Sequence, residues 1–316
     1  MLRKILVAAV VGLLAGSAAP AQAQQFINVL TGGTSGVYYP LGVALSNIFA
    51  KSIPNIKSSA QATKASVENL NLLEAGRGEL AFTLGDSLSQ AWNGDAEAGF
   101  SQPLKKLRTV AAIYSNYVQI VATKGSGIKT LADLKGKRLS VGAAKSGTEL
   151  NARAVLKAAG LSYSDLSKVE YLGFGESIDL MKNRQLDATL ISAGLGVSAI
   201  RDLATSVDIV MVAVPPDVVA KIGDPAYQAT VIPAKTYEGQ DADVPGIAIQ
   251  NYLVTSSDVT PDLVYQMTAA IFGNLDTLAA AHSAARGIKL ATAAKPGPVP
   301  LHPGAEKYFK EKGVLK

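Results

Sequence analysis

Short apolar segments, each followed by a loop of glycine and hydroxyl residues and then by a helical stretch, recur along this chain. That recurrence restricts it to an alternating α/β fold with parallel-rich sheets. In the first instance Ile27 to Leu30 reads as a strand, Thr31-Gly-Gly-Thr-Ser-Gly36 as a loop, and Tyr38 to Ala50 carries helical periodicity. In the second, the strand Leu139 to Gly142 precedes Ala143-Ala-Lys-Ser-Gly-Thr148, and a helix runs from Glu149 to Ala159, stopped by Gly160. Asp187 to Gly194 followed by Val197 to Leu203 makes a third. Glycine lets backbone approach a ligand closely, and the unpaired amides that open a helix attract a negative group. Two such loops, one in each half, point to capture of an anion more strongly than either alone.

The remaining pattern suggests how the halves connect. Ser59 to Thr63 reads as a polar strand end before a helix from Val67 to Glu74, and Glu79 to Leu84 as a strand closed by a Gly85-Asp86 turn. Val110 to Ile113 and Val118 to Ala122 read as two strands separated by a tyrosine-bearing turn. Ile247 to Val254 then reads as a strand returning to the first half, followed by an alanine-rich helical stretch from Pro261 to Ala285. This path predicts a discontinuous first lobe, 24–116 plus 248–316, and an inserted second lobe, 117–247. The cleft between them is the natural ligand site, because strand carboxyl ends and helix N-termini both face it.

The start of the chain predicts export. Arg3 and Lys4 precede the apolar run Ile5 to Ala15, and Ala21-Gln-Ala23 offers a small-x-small cleavage site after Ala23, so the mature protein is expected outside the cytoplasm. The run is shorter than the roughly 18 residues a spanning helix needs. Cleavage leaves 316 minus 23, or 293 residues, near the size of about 250 to 300 at which one core divides in two. It also leaves 28 basic residues against 25 acidic, a mild bias without the basic stripe of a nucleic-acid binder. The chain has no cysteine, which excludes disulfides and thiolate metal sites. We expect a monomer.

Thr31-Gly-Gly-Thr-Ser-Gly-Val-Tyr-Tyr-Pro40, Val67-Glu-Asn69, Ser146-Gly-Thr-Glu149, Asp187-Ala188, Val264-Tyr265 and Pro300-Leu-His-Pro-Gly-Ala305 together resemble the TAXI family, solute-binding proteins of a subgroup of TRAP transporters. The resemblance covers the whole mature chain. It implies a two-lobed periplasmic binding protein fold, type II-like, that closes on a small organic carboxylate, a dicarboxylate or glutamate-like acid. It further implies TRAP membrane subunits as partner, driven by an ion gradient, and no cofactor.

On that reading the first-lobe contacts are Thr34, Ser35 and Gly36, through amides or hydroxyls, and Tyr38 through its phenol. Ser146, Gly147 and Thr148 embrace the other end, and Gln61, Thr63 and Asp86 complete the site. Lys64 and Lys145 depart from the family pattern and bring positive charge beside the loops, favouring a doubly negative acid. An enzyme is the competing class. Its support is thin: His282 and His302 show no metal-binding spacing, and the Ser126-Gly-Ile-Lys129 tetrad sits in a glycine-rich turn without companion motifs. A receptor for an ABC transporter or a sensor kinase remains open, since either would share the architecture.

Overall fold

The computed structural model describes residues 25–316, so the expected export signal, 1–23, lies outside the described residues. The chain begins with β1 (Gln25–Leu30), α1 (Tyr38–Ser52), β2 (Ile56–Gln61), α2 (Ser66–Glu74), β3 (Leu80–Leu84) and α3 (Gly85–Asn93). The long strand β4 (Leu107–Thr123) leads out to β5 (Arg138–Ser140), α4 (Gly147–Ala158), β6 (Lys168–Glu170), α5 (Phe174–Lys182) and β7 (Ala188–Ala193). Next come α6 (Ser198–Ala204), β8 (Ile209–Val212), α7 (Pro216–Ile222) and β9 (Gln228–Ile232). A second long strand, β10 (Val244–Ser256), leads back to α8 (Pro261–Phe272), α9 (Leu275–Ala281), α10 (Leu290–Ala293) and α11 (Pro303–Glu311).

The strands form one sheet in the order β2-β1-β3-β10-β4-β7-β5-β6, with β9 on β10 and β8 on β4. Pairing is parallel toward both ends, where helical crossovers join the strands, as the alternation predicts. It is antiparallel in the middle, because β10 runs back against both β3 and β4. Every residue of β3 and of β7 is buried, as expected of interior strands covered on both faces. On α1, Leu41, Ala44, Leu45, Ile48 and Phe49 are buried, the i, i+3, i+4 stripe of a helix laid against a sheet. This is the mixed α/β fold with a large sheet expected from the pattern.

Three local readings change. Val110–Ile113 and Val118–Ala122 belong to one continuous strand, β4, and Tyr114 lies on no turn. Gly85 and Asp86 open α3 rather than close a loop, with Leu84 at its N-cap in extended conformation. The stretch from Pro261 to Ala285 divides at Gly273 and Asn274 into α8 and α9, followed by a 3-10 turn at Ser283–Gly287. Thr260 caps α8 through its hydroxyl with Pro261 at the first helical position, a strong local start signal.

Candidate functional site

The carboxyl ends of β1, β3, β5, β6 and β7 converge on one cavity of about 330 Å³. Gly32 and Gly33 follow β1, Leu84 ends β3, Ala143 and Ala144 follow β5, Tyr171 follows β6, and Ser192 and Ala193 end β7. Four helices open onto the same space: α1 at Gly36 to Tyr38, α2 at Ala65 and Ser66, α4 at Ser146 to Thr148, and α5 at Gly173 and Phe174. The first amides of a helix have no intrahelical acceptor and carry its positive dipole end. The wall therefore favours negative charge with no buried cation, its one lysine being the exposed Lys64. Glu176, also exposed, turns back to accept the Gly173 amide at 3.1 Å and so occupies part of the α5 terminus itself. Tyr38, Tyr114, Tyr171, Phe174, Val37 and Leu84 make the rest of the wall largely apolar and aromatic.

Of the residues expected from sequence, Gly36, Tyr38, Thr63, Lys64, Ser146, Gly147 and Thr148 line this cavity. Thr34, Ser35, Gln61, Asp86 and Lys145 stand outside its wall. Thr34 is exposed, and Ser35 meets the opposite half through its carbonyl, which accepts from Ser198 Oγ at 2.9 Å. Gln61 ends β2 and its side chain accepts from Asn28 Nδ2 at 2.7 Å. Lys145 is exposed, in the left-handed region at φ 62°, which turns the chain so that Ser146 can begin α4. Ser146 acts as a cap, its Oγ accepting the Glu149 amide at 3.1 Å. Thr63 Oγ1 lies 2.7 Å from Asn69 Oδ1 and accepts the Ala65 amide at 2.9 Å, holding Ala65 at φ 69° beside the cavity. Tyr38 stacks on Phe82 with centroids 4.9 Å apart, and its hydroxyl donates to Asn251 Oδ1 at 2.5 Å. Burial holds that phenol well above its ordinary range, so it stays protonated.

Asp86 serves behind the wall. Its Oδ2 accepts from Asn151 Nδ2 and from the Tyr227 hydroxyl, each at 2.7 Å, and its Oδ1 accepts the Ser87 amide. Asn151 Oδ1 accepts from Ser192 Oγ at 2.6 Å, and Ser192 Oγ in turn accepts from Asn116 Nδ2 at 2.6 Å. A buried polar chain thus runs from the cavity wall, at Asn116 and Ser192, to a carboxyl that ties α3 to α4. Burial raises the Asp86 pKa to about 6, against the bonds from Tyr227, Ser87 and Asn151 that favour the ionised form.

The two halves meet tightly around the cavity. A Cβ at Gly147 would lie 2.7 Å from Ser66 Oγ and 2.8 Å from Leu84 Cδ1, and one at Gly175 would lie 2.8 Å from Ser35 Oγ. These glycines permit the approach. Tyr114, Asn116, Ser192, Tyr171 and Phe174 are wall residues that sequence reading missed. Tyr114 and Asn116 were expected in a turn, and only their place on the continuous strand β4 puts them two residues apart on one face.

Both histidines serve as caps. His302 Nδ1 accepts the Gly304 amide at 3.2 Å while its Nε2 lies 2.9 Å from the Val259 carbonyl, so Nε2 carries the proton. His282 Nδ1 accepts the Ala284 amide at 3.1 Å. Among the described residues no group of three or more His, Asp or Glu is placed to hold a metal, and no helix is long and apolar enough to cross a membrane.

Residues 29–313 match the NMT1-like family, and the chain belongs to that family. Among solved structures it is similar to PhnD1 from Prochlorococcus marinus (MIT 9301) in complex with methylphosphonate, with a TM-score of 0.58 and 12% identity over 92% of this chain and 97% of that one. It is equally similar to a structure described as a periplasmic transporter, with a TM-score of 0.58 and 13% identity over 94% of this chain and 95% of the other. A protein from Bordetella bronchiseptica RB50 follows at a TM-score of 0.54 and 18% identity, covering 92% and 89%. At these identities the likeness establishes the fold. The assignment to the TAXI family is corrected by the NMT1-like match. The TRAP membrane subunits and the carboxylate ligand class rested on that assignment and are withdrawn with it, the ligand in the PhnD1 structure being a phosphonate.

Proposed function

We propose that this chain is an exported solute-binding protein that captures a small organic oxyanion of the phosphonate class and presents it to an ABC-type membrane transporter. One observation carries the reading: four helix N-termini open on a single cavity with no buried cation on its wall. Such a wall suits a compact anionic head, and its aromatic lining suits an apolar substituent. The structural likeness to the methylphosphonate complex supports the same class, and the ABC receptor is the partner that the sequence reading left open beside TRAP.

The mechanism is capture and release without chemistry. In this proposal the lobes are 24–116 with 248–316, and 117–247, and they close about β4 and β10, the two strands that run between them. A ligand bridging Gly36 and Gly147 interacts with both lobes only when they are together, and so shifts the population toward the closed state. Calorimetry on the mature protein with methylphosphonate, methanesulfonate and acetate tests this. Saturable one-to-one binding, tightest for the phosphonate and with the ligand recovered unaltered by mass spectrometry, is the expected result. Failure to bind methylphosphonate, or its conversion to a product, would overturn it.

A further inference from the structure

The register of β4 against β10 slips beside the cavity. Gln250 pairs with Ser115 and Tyr252 with Ala112, so Ile113 and Tyr114 together stand opposite Asn251, which makes a β-bulge. Bulges release backbone groups from the ladder and re-aim side chains. Here the released carbonyls find side-chain donors: Gln250 Nε2 donates to the Ile113 carbonyl at 3.0 Å, and Asn251 Nδ2 to the Tyr114 carbonyl at 3.1 Å. The other end of the Asn251 amide accepts the Tyr38 hydroxyl.

One polar group at the bulge is left over. The Tyr114 hydroxyl is fully buried, on a residue only 2% exposed, and has no hydrogen-bond partner among the described residues. Of the buried side-chain polar atoms in that condition, it alone belongs to the cavity wall. Glycines pack close against this tyrosine: a Cβ at Gly194 would lie 3.2 Å from the ring at Tyr114 Cε2, and one at Gly287 would lie 3.0 Å from Tyr114 Cβ. Burial, reinforced by the neighbouring Tyr38, keeps the phenol protonated and therefore a donor.

We infer that the Tyr114 hydroxyl is the cavity's dedicated hydrogen-bond donor, reserved for an oxygen of the bound anion. This assignment rests on the solute-binding reading above, and it distinguishes Tyr114 from Tyr38, whose hydroxyl already donates to Asn251. An unpaired buried hydroxyl opposes folding and is recovered when a ligand acceptor meets it, so it converts directly into affinity.

The test is Tyr114→Phe in the mature protein, which removes the oxygen and keeps the ring. With methylphosphonate as probe, calorimetry is expected to show binding weakened about 10- to 150-fold, as for loss of a donor to a charged acceptor. The melting temperature of the unliganded variant should equal or exceed that of wild type. Tyr38→Phe should instead lower it, since that hydroxyl holds Asn251. Affinity within about twofold of wild type, or a lower melting temperature for unliganded Tyr114→Phe, would overturn the assignment. Failure of the phosphonate reading appears differently, as wild-type protein that ignores methylphosphonate. Wild type and Tyr114→Phe are then compared by thermal shift with methanesulfonate, sulfate, phosphate and neutral polar solutes. The assignment stands if the variant weakens whichever solute stabilises wild type, and falls if none separates the two proteins.

Discussion

The two glycine loops that face the cavity share a composition and differ in how they are held. In the first, α1 begins at Tyr38 with no side-chain cap, Gly36 is tied by one turn bond to the Gly33 carbonyl, and a Cβ at Gly33 would meet nothing within 4 Å. In the second, Ser146 caps α4, Lys145 and Gly142 adopt positive φ, and a Cβ at Gly142 would lie 2.6 Å from Thr148 Cγ2. The helix behind it is anchored twice more. Asn151 bonds to Asp86, and the buried Glu149 accepts two bonds from Arg153, at 2.7 and 2.8 Å, and one from Tyr163 at 2.8 Å. The second loop is thus a braced jaw and the first an open one that offers uncapped amides. Similar residues do different work according to what the neighbouring helix supplies.

The largest expected effect tests the bracing. The Asp86 pKa is raised in the folded protein, so its contribution to stability is fully present below its unfolded value of 3.8 and is lost as pH rises through about 6. Against Asp86→Asn, which does not titrate, wild type should lose about 2 kcal/mol of relative stability between pH 4 and 7. Urea denaturation across that range measures it, and a flat difference would mean that Asp86 ionises as freely folded as unfolded.

The jaws should also differ in tolerance. Gly147→Val forces side-chain volume against Ser66 and Leu84, and should weaken methylphosphonate binding by the roughly 1 to 3 kcal/mol typical of overpacking, about 5- to 150-fold. Gly33→Ala should bind like wild type. Equal effects at both positions would erase the contrast between a tight and an open jaw.

A smaller effect separates the hydroxyls. Ser146→Ala removes a helix cap and should cost about 1 kcal/mol of stability by denaturant titration, whereas the exposed Thr34→Ala should cost nothing measurable. Smallest of all are the lysines. Lys64→Met, at the exposed mouth, should weaken binding less than about fivefold. Lys145→Gly should leave affinity unchanged and raise stability by up to about 1 kcal/mol, because glycine adopts that φ without strain. A large loss of affinity in either variant would restore the lysines as direct ligand contacts.

The strands and helices that carry the two loops were legible in the sequence, as was the placement of both loops at strand carboxyl ends facing one space. These features are local. A period of 3.6 over Tyr38 to Ala50, an all-apolar strand such as β3, or glycine and hydroxyl residues between them follow from backbone sterics and from what a helix start requires. Fewer than a third of the wall residues were expected with them, from Gly36 and Tyr38 to Ser146, Gly147 and Thr148. What only the tertiary structure decided was the job of each polar group. Asp86 reads as a turn residue until Asn151 and Tyr227 arrive from the other half, 65 and 141 residues away. Tyr38 reads as the free phenol and Tyr114 as part of a turn until β10 returns, bringing Asn251 to one hydroxyl and leaving the other without a partner. Hydrogen-bond satisfaction depends on who arrives from elsewhere in the chain, and neither residue type nor spacing encodes that.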